Sequence, residues 1–397
     1  MTNSFKFDAV IIGGGIAGLF ILDRLIAEGY SVILLEKNSI GNGQTLASQG
    51  MVHSGIKYGL DGSNPEISKL LVDVSRRWTE FFSGSARPDL SSSAIHSAKQ
   101  YLWTKNVLLD KMALKAVPML MNKGARKLPE NDQPAAFKIC GYNSDVYEIN
   151  ETVMDVKSVC NYFFQKYFSS IYRGTADHFQ LGDDGSIRSI RCGNLTIEAG
   201  AFLISSGAGN ESFGDVFKLQ NIAQRRPLRQ FMLRGKLPLL YGHCVSSQPK
   251  PLFSITSHPY SDETIWYLGG NVAEPVDGKD SYQTPSEIFK LLLKVFPGVK
   301  AMIGGWSTYT IDRAEAKTAE GRLPNEPTLM PHGNLALCWP TKLVYAPVLA
   351  DKASEFMKKL EMPSSQKMPQ QLPLPKPDLG KYPWEVTDWQ PFEKEIF

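Results

Sequence analysis

Gly13-Gly14-Gly15-Ile16-Ala17-Gly18 is the stretch whose reading decides the fold. An apolar run at 9–12 precedes it and an amphipathic stretch at 16–27 follows. A second apolar run at 31–35 then delivers Glu36. Strand, glycine turn, helix, strand and acid is the order that a dinucleotide site requires. Gly13 permits the tight turn. Gly15 lets backbone approach a pyrophosphate, and Gly18 lets helix and strand pack closely. The helix N-terminus offers free N–H groups and a partial positive charge to the phosphates. Glu36 accepts hydrogen bonds from ribose hydroxyls. The alternative for the glycines alone is a purely structural turn; the flanking strands and the acid favour the dinucleotide.

Outward from this unit, 397 residues exceed one average domain, so two are expected. A hydrophobic fraction of 43% suffices for a large core, and a net charge of +3 is too small to argue for nucleic acid. The short basic clusters at 123–127 and 225–234 read as solvated surface. The five cysteines (Cys140, Cys160, Cys192, Cys244, Cys338) are far apart and odd in number, without a C-x-x-C pair, as in a reduced cytoplasmic protein. The glycines interrupt the early apolar run, so it reads as strand and helix and not as a targeting segment. No later run reaches the length of a membrane span.

Helical spacing predicts helices over 65–82, 107–121, 153–168, 285–296 and 344–360. Strands are expected at 99–104, 196–205 and 334–338. Gly182-Asp183-Asp184-Gly185 predicts a hairpin between 170–176 and 186–192. Strands at 230–233, 240–245, 252–256 and 264–268, separated by Gly, Pro and Ser, predict an antiparallel sheet. The fold class expected is α/β, a Rossmann-like nucleotide-binding domain with an inserted, mostly antiparallel substrate domain. The first comprises 1–90, 150–225 and 305–362; the second comprises 91–149 and 226–304. Residues 363–397 form a proline-rich C-terminal arm, ordered against the surface or free.

Four pieces make the chain resemble the D-amino-acid-oxidase-like family of FAD-dependent oxidoreductases. They are the glycine motif with Glu36, the run Gly43-Gln44-Thr45-Leu46-Ala47-Ser48-Gln49-Gly50-Met51-Val52-His53-Ser54-Gly55-Ile56-Lys57-Tyr58, the strand and turn at 197–209, and the segment 334–347. The resemblance implies FAD, held non-covalently because no cysteine matches the attachment site of sarcosine oxidase. It implies cofactor contacts at Gly13, Gly15, Ile16, Ala17, Gly18, Glu36, Lys37, Gln44, Thr45, Ser48, Gln49, Gly50, Met51, Ala176, Ser206, Gly207, Thr341, Lys342 and Leu343. Thr45 and Ser48 carry hydroxyls able to donate to phosphate. Gly50 and Met51 pass the flavin ring, where a side chain at Gly50 would obstruct stacking. Ala176 contacts the adenine through its backbone, and Gly207 turns the chain beside the nucleotide.

The implied reaction is hydride transfer from a small amino acid, amine or 2-hydroxy acid to flavin N5, with oxygen or a quinone as electron acceptor. Lys342, or the backbone around it, would stabilise negative charge at the flavin pyrimidine edge; a surface lysine is the alternative. Arg313 would clamp a substrate carboxylate, or else pair with Asp312 or Glu315. His53 would take a proton from a substrate hydroxyl, or be structural. His243, His258, Tyr260 and Tyr267 line the pocket or belong to the core. Relatives carry glycines before the last helix, where this chain has Cys338-Trp339-Pro340-Thr341-Lys342. Two rivals share parts of the pattern: a nicotinamide-only dehydrogenase, and a flavoprotein serving in binding or assembly with little turnover.

Overall fold

The computed structural model describes residues 4–52, 65–105, 110, 112, 114, 124–248, 250–276, 281–319, 321, 324–362, 364–366 and 369–393. Two large sheets organise them. The first has a parallel centre in the order Ile171–Arg173, Val32–Glu36, Ser4–Ile12, Leu195–Ile204, Leu335–Trp339. Its strands run apolar where both faces are buried, at 9–12, 32–35, 201–204 and 335–339. Ala9, Ile11, Val32 and Leu34 join a core with the helices Ile16–Ala27, Val156–Lys166 and Ala346–Lys359. Val10, Ile12, Ile33 and Leu35 face a second core with Phe202, Leu337 and Trp339. Asp177–Leu181 and Ile187–Cys192 form the hairpin edge. The expected partner at 170–176 instead supplies Ile171–Arg173, which pairs parallel with Val32–Glu36, and the strand entering the glycine turn is Asp177–Leu181.

The second sheet has nine strands and is almost wholly antiparallel. Its long pair is Ala223–Gly235 with Ile303–Ala316, matched along nearly the whole length. Residues 305–316 therefore pair within this sheet, past the domain boundary expected at 304. Alternate residues serve two cores. Phe231, Leu233, Trp266 and Leu268 pack under the helix Pro285–Val295. Met232, Ile265 and Tyr267 turn toward the helices of the first sheet. The helix expected over 107–121 falls largely outside the described residues.

The described part of the C-terminal arm is a strap across both sheets. Leu372 N–H donates to Tyr172 Oη, and Asp378–Leu379 pairs with Ser39–Ile40. Tyr382 donates to Asp155, the N-cap of helix Val156–Lys166. Gln390–Pro391 then pairs with Gly305–Trp306 at the edge of the second sheet, and Phe392 enters its core.

Candidate functional site: a dinucleotide cradle and the loop that leaves it

The glycine turn lies where Ser4–Ile12 ends and Ile16–Ala27 begins. Gly13 has φ of 113° and its N–H bonds Leu35 O at 2.8 Å. A Cβ on Gly18 would drive into the Gly13 carbonyl oxygen. At Gly15 a Cβ would meet only Thr45 Oγ1, at 3.1 Å, and otherwise open space. The helix starts without a side-chain cap from Gly15 and without an acid in its first turn. Its positive end is thus left for an anion.

Glu36 is 8% exposed; its two oxygens accept from Gly14 N–H and Asn38 N–H, each at 2.7 Å. Each oxygen keeps a lone pair for a further donor. Thr45 Oγ1 accepts from Ile16 N–H at 3.1 Å, which leaves its own proton to donate. Ser48 spends its proton on Thr45 O at 2.8 Å, so the donor role expected of it toward phosphate is already taken. Lys37 is exposed, and Ile16 and Ala17 are buried at the helix start. Ala176 follows Ile171–Arg173, where Gly174 N–H bonds Glu36 O, beside the acid. Ser206 Oγ donates to Ile12 O, and Ser206 N–H donates to Asn210, whose amide holds Cys338 O. Gly207 has φ of 58° and faces the Gln44 amide. The return turn thereby closes the cradle on a third side.

From Thr45 the chain runs onto the second sheet, stitched by side chains whose partners sequence reasoning missed. Gln44 Oε1 accepts from Ala314 N–H at 3.1 Å, and Tyr267 donates to Ala47 O at 2.9 Å. Gln49 donates to Tyr267 O at 2.8 Å and accepts from Ser254 Oγ at 2.7 Å. Gly269 makes room for it, since a Cβ there would strike the Gln49 amide. Gly50, at φ of 66°, abuts the Met154 carbonyl oxygen, so protein packing already demands glycine there. Met51 bridges to Val153 and packs on Tyr241. His53 and Tyr58 lie outside the described residues.

Before the last helix, Thr341 takes φ of 64°, the left-handed conformation that glycine adopts without cost. A β-branched residue there is strained, and its hydroxyl holds the turn by donating to Glu326 O at 3.1 Å. Thr341→Gly is expected to relieve about 1 kcal/mol of this strain, partly offset by the lost hydrogen bond; a urea melt with a lower midpoint would contradict it. Lys342 Nζ sits 5.3 Å from the Tyr345 ring centroid, and Leu343 opens the short turn Leu343–Tyr345. Trp78 Nε1 donates to Val344 O at 2.9 Å and fixes that turn.

Arg313 is not open to a substrate carboxylate. Its guanidinium grips Glu274 through both terminal nitrogens, at 3.1 and 2.9 Å, while Asp312 pairs with Arg225 and Glu315 with Arg226. Burial opposes ionisation of Glu274, but Arg313 and then Lys250 hold its carboxyl below the usual range. This contribution to stability is present above the ordinary carboxylate range and is lost as pH falls through the lowered value. Arg313→Ala is expected to cost about 2 kcal/mol at neutral pH and to flatten the acid limb of a stability–pH curve. His243 bonds Gln100 at 3.1 Å, His258 bonds Thr256 at 3.1 Å, and Tyr260 packs against the core. All five cysteines are free and buried, and burial pushes the Cys338 thiol far up. A cavity of about 220 Å³ opens elsewhere, on the outer side of Ile16–Ala27 among ion-paired Arg24, Arg77 and Asp351.

A model of the FAD dependent oxidoreductase family matches residues 8–325. The chain is also 32% identical over 394 residues to a probable FAD-dependent oxidoreductase of Pseudomonas aeruginosa, PA4991, covering 98% of this chain and 100% of that one. The chain belongs to the FAD-dependent oxidoreductase family. The crystal structure of PA4991 superposes with a TM-score of 0.81 at 30% identity, over 97% of this chain and 99% of that one. Glycine oxidase from Geobacillus kaustophilus shares the fold, with a TM-score of 0.63 at 16% identity over 89% of this chain and 95% of its own. So does L-proline dehydrogenase from P. horikoshii, at 0.63 and 14%, over 92% and 96%.

FAD is accordingly the cofactor, and the cradle fits it. The open side of Gly15, the uncapped helix start and the free Thr45 proton suit a pyrophosphate. Glu36, with lone pairs to spare, suits the adenosine ribose. Among the described residues no helix is long and apolar enough to cross a membrane.

Proposed function

We propose that this oxidoreductase removes a hydride from the carbon bearing the amine or hydroxyl of a small amino acid, amine or 2-hydroxy acid. FAD, when bound, supplies the hydride acceptor at its N5 atom, and oxygen or a quinone is the final acceptor. The observation that carries this reading is the stitched loop 44–52, which leads from the phosphate cradle to a face of the second sheet bearing Gln230, Tyr309 and Tyr267. Glycine and L-proline as substrates of fold relatives support the amine class.

The chain's own groups have assigned tasks. Glu36, the Thr45 hydroxyl and the backbone at Gly15 bind and orient the cofactor. Lys342, held at the start of the last helix, places a cation where negative charge develops on reduction. Lys342→Met is expected to lower the flavin reduction potential; an unchanged potential removes Lys342 from that task. The reading itself is tested by adding glycine, L-proline, sarcosine, glycolate, L-lactate and L-2-hydroxyglutarate anaerobically to the yellow holoenzyme. At least one should bleach it. Failure of all, with dithionite still bleaching, favours the assembly role.

A further inference from the structure

The face of the second sheet beside the loop 44–52 carries a polar atom with no hydrogen-bond partner among the described residues. Along Ala223–Gly235, Phe231 and Leu233 pack under Pro285–Val295, whereas Met232 pairs across with Tyr267 and joins the core that includes Leu46. Gln230 precedes Met232 by one period of the strand and therefore shares its face. Its cross-strand partner is Tyr309, half-buried against the same core. Gln230 is only 5% exposed, and its Oε1 is buried without a hydrogen-bond partner among the described residues. Leaving an amide oxygen so is costly, and native chains keep few such groups without a use.

The place is informative. The loop is tied to this sheet on one side at Ala314 N–H, through Gln44, and on the other at Tyr267 O and Ser254, through Gln49. The pairs Leu228–Ile311 and Gln230–Tyr309 lie along the strands between these ties. The stranded amide thus lies between these ties, on the strand face it shares with Leu228, Ile311 and Tyr309.

We propose that Gln230 is the substrate-recognition residue, its amide oxygen accepting a hydrogen bond from the amino or hydroxyl group of the substrate. A site built to bond an N–H or O–H rejects an analogue that lacks it, because the buried oxygen is then left unpaired. The assignment deepens the reading above and rests on it for the substrate class.

The test compares wild type with Gln230→Met, which keeps length and apolar volume. Glycine, L-proline and glycolate, with acetate as the analogue lacking the donor, are titrated anaerobically into holoenzyme, and Kd is read from the flavin spectrum. Apoprotein melting is measured in parallel. The donor-bearing probes should bind Gln230→Met at least about tenfold more weakly while acetate is unaffected. Apo Gln230→Met should melt on the order of 2 °C higher, since a buried unpaired group has been removed. Equal affinity in both proteins, or an equal loss for acetate, overturns the assignment and leaves the oxidoreductase reading standing. If the donor-bearing probes leave wild type unperturbed, the substrate class falls. The melt then decides Gln230 alone: a rise supports a polar ligand at this oxygen, and an unchanged or lower Tm overturns it.

Discussion

Gly15→Ala is expected to fold and melt like wild type and yet to purify without FAD. Gly15 has φ of −75° and ψ of 177°, extended backbone that alanine adopts freely. The new methyl would touch only Thr45 Oγ1. It would, however, stand in the open mouth of the cradle, against the helix N–H groups that a pyrophosphate uses. Losing one or two charge-assisted hydrogen bonds there costs about 3 kcal/mol, or roughly 100-fold in Kd. Gly18→Ala makes the contrast, because its methyl has the Gly13 carbonyl in its path. That variant should lose the fold of the turn itself, and with it several degrees in Tm. Flavin absorbance after gel filtration, read beside a circular-dichroism melt, separates the two. A yellow Gly15→Ala protein would show that the phosphates lie elsewhere.

Trp384→Ala should produce the second large effect, at a place remote from the glycines. The Trp384 ring is 3% exposed, stacks on Tyr382 at 4.3 Å, lies 4.3 Å from His258 and meets Tyr267 edge-on at 5.4 Å. Truncating such a ring costs about 3–5 kcal/mol. Tyr267 in turn holds Ala47 O, so loosening the strap should also weaken FAD binding, by a smaller factor. The junction carries a pH dependence of definite sign. Burial, and then the neighbouring His96, keep the His258 imidazole well below its ordinary range; burial also lowers His96, against the pull of Asp155. Folded, both rings resist protons that the unfolded chain accepts below about pH 6.5. Stability is therefore full above that pH and falls as the solution is acidified. The groups around the pair are Asp155, Thr256, Tyr241, Tyr267, Tyr382 and Trp384. His258→Phe should flatten the decline in Tm between about pH 7 and pH 5; an unaltered slope would place the acid sensitivity elsewhere.

The cradle was legible in the sequence because its chemistry is local. Gly13, Gly15 and Gly18 act within one strand–turn–helix unit, and Glu36 ends the adjacent strand. The sheet classes followed from the strand–turn–helix–strand order of the first and from the Gly, Pro and Ser turns between the strands of the second. What was not legible depends on partners far apart along the chain. Arg313 read either as a carboxylate clamp or as the partner of Asp312 or Glu315, and its actual partner, Glu274, is brought beside it by the turn after Glu263–Gly269. Ser48 looked like a phosphate donor until its rotamer placed the proton on Thr45 O. The hairpin was displaced by one strand because a parallel pairing with Val32–Glu36 captured Ile171–Arg173, a choice that no local turn encodes. The strap was readable as a proline-rich arm, either ordered against the surface or free. Its aromatic residues became informative once Tyr382 and Trp384 were seen to close on Asp155 and His258.

The central claim is that a C–H bond next to an amine or hydroxyl delivers its hydride to bound flavin in this chain. Anaerobic bleaching of the holoenzyme by whichever panel compound reacts, measured with that compound and with its α-deuterated form, tests it most directly. A clearly slower loss of flavin colour with the deuterated compound is the predicted result. Equal rates with a slow chemical step, or a flavin that only dithionite can bleach, would contradict the account.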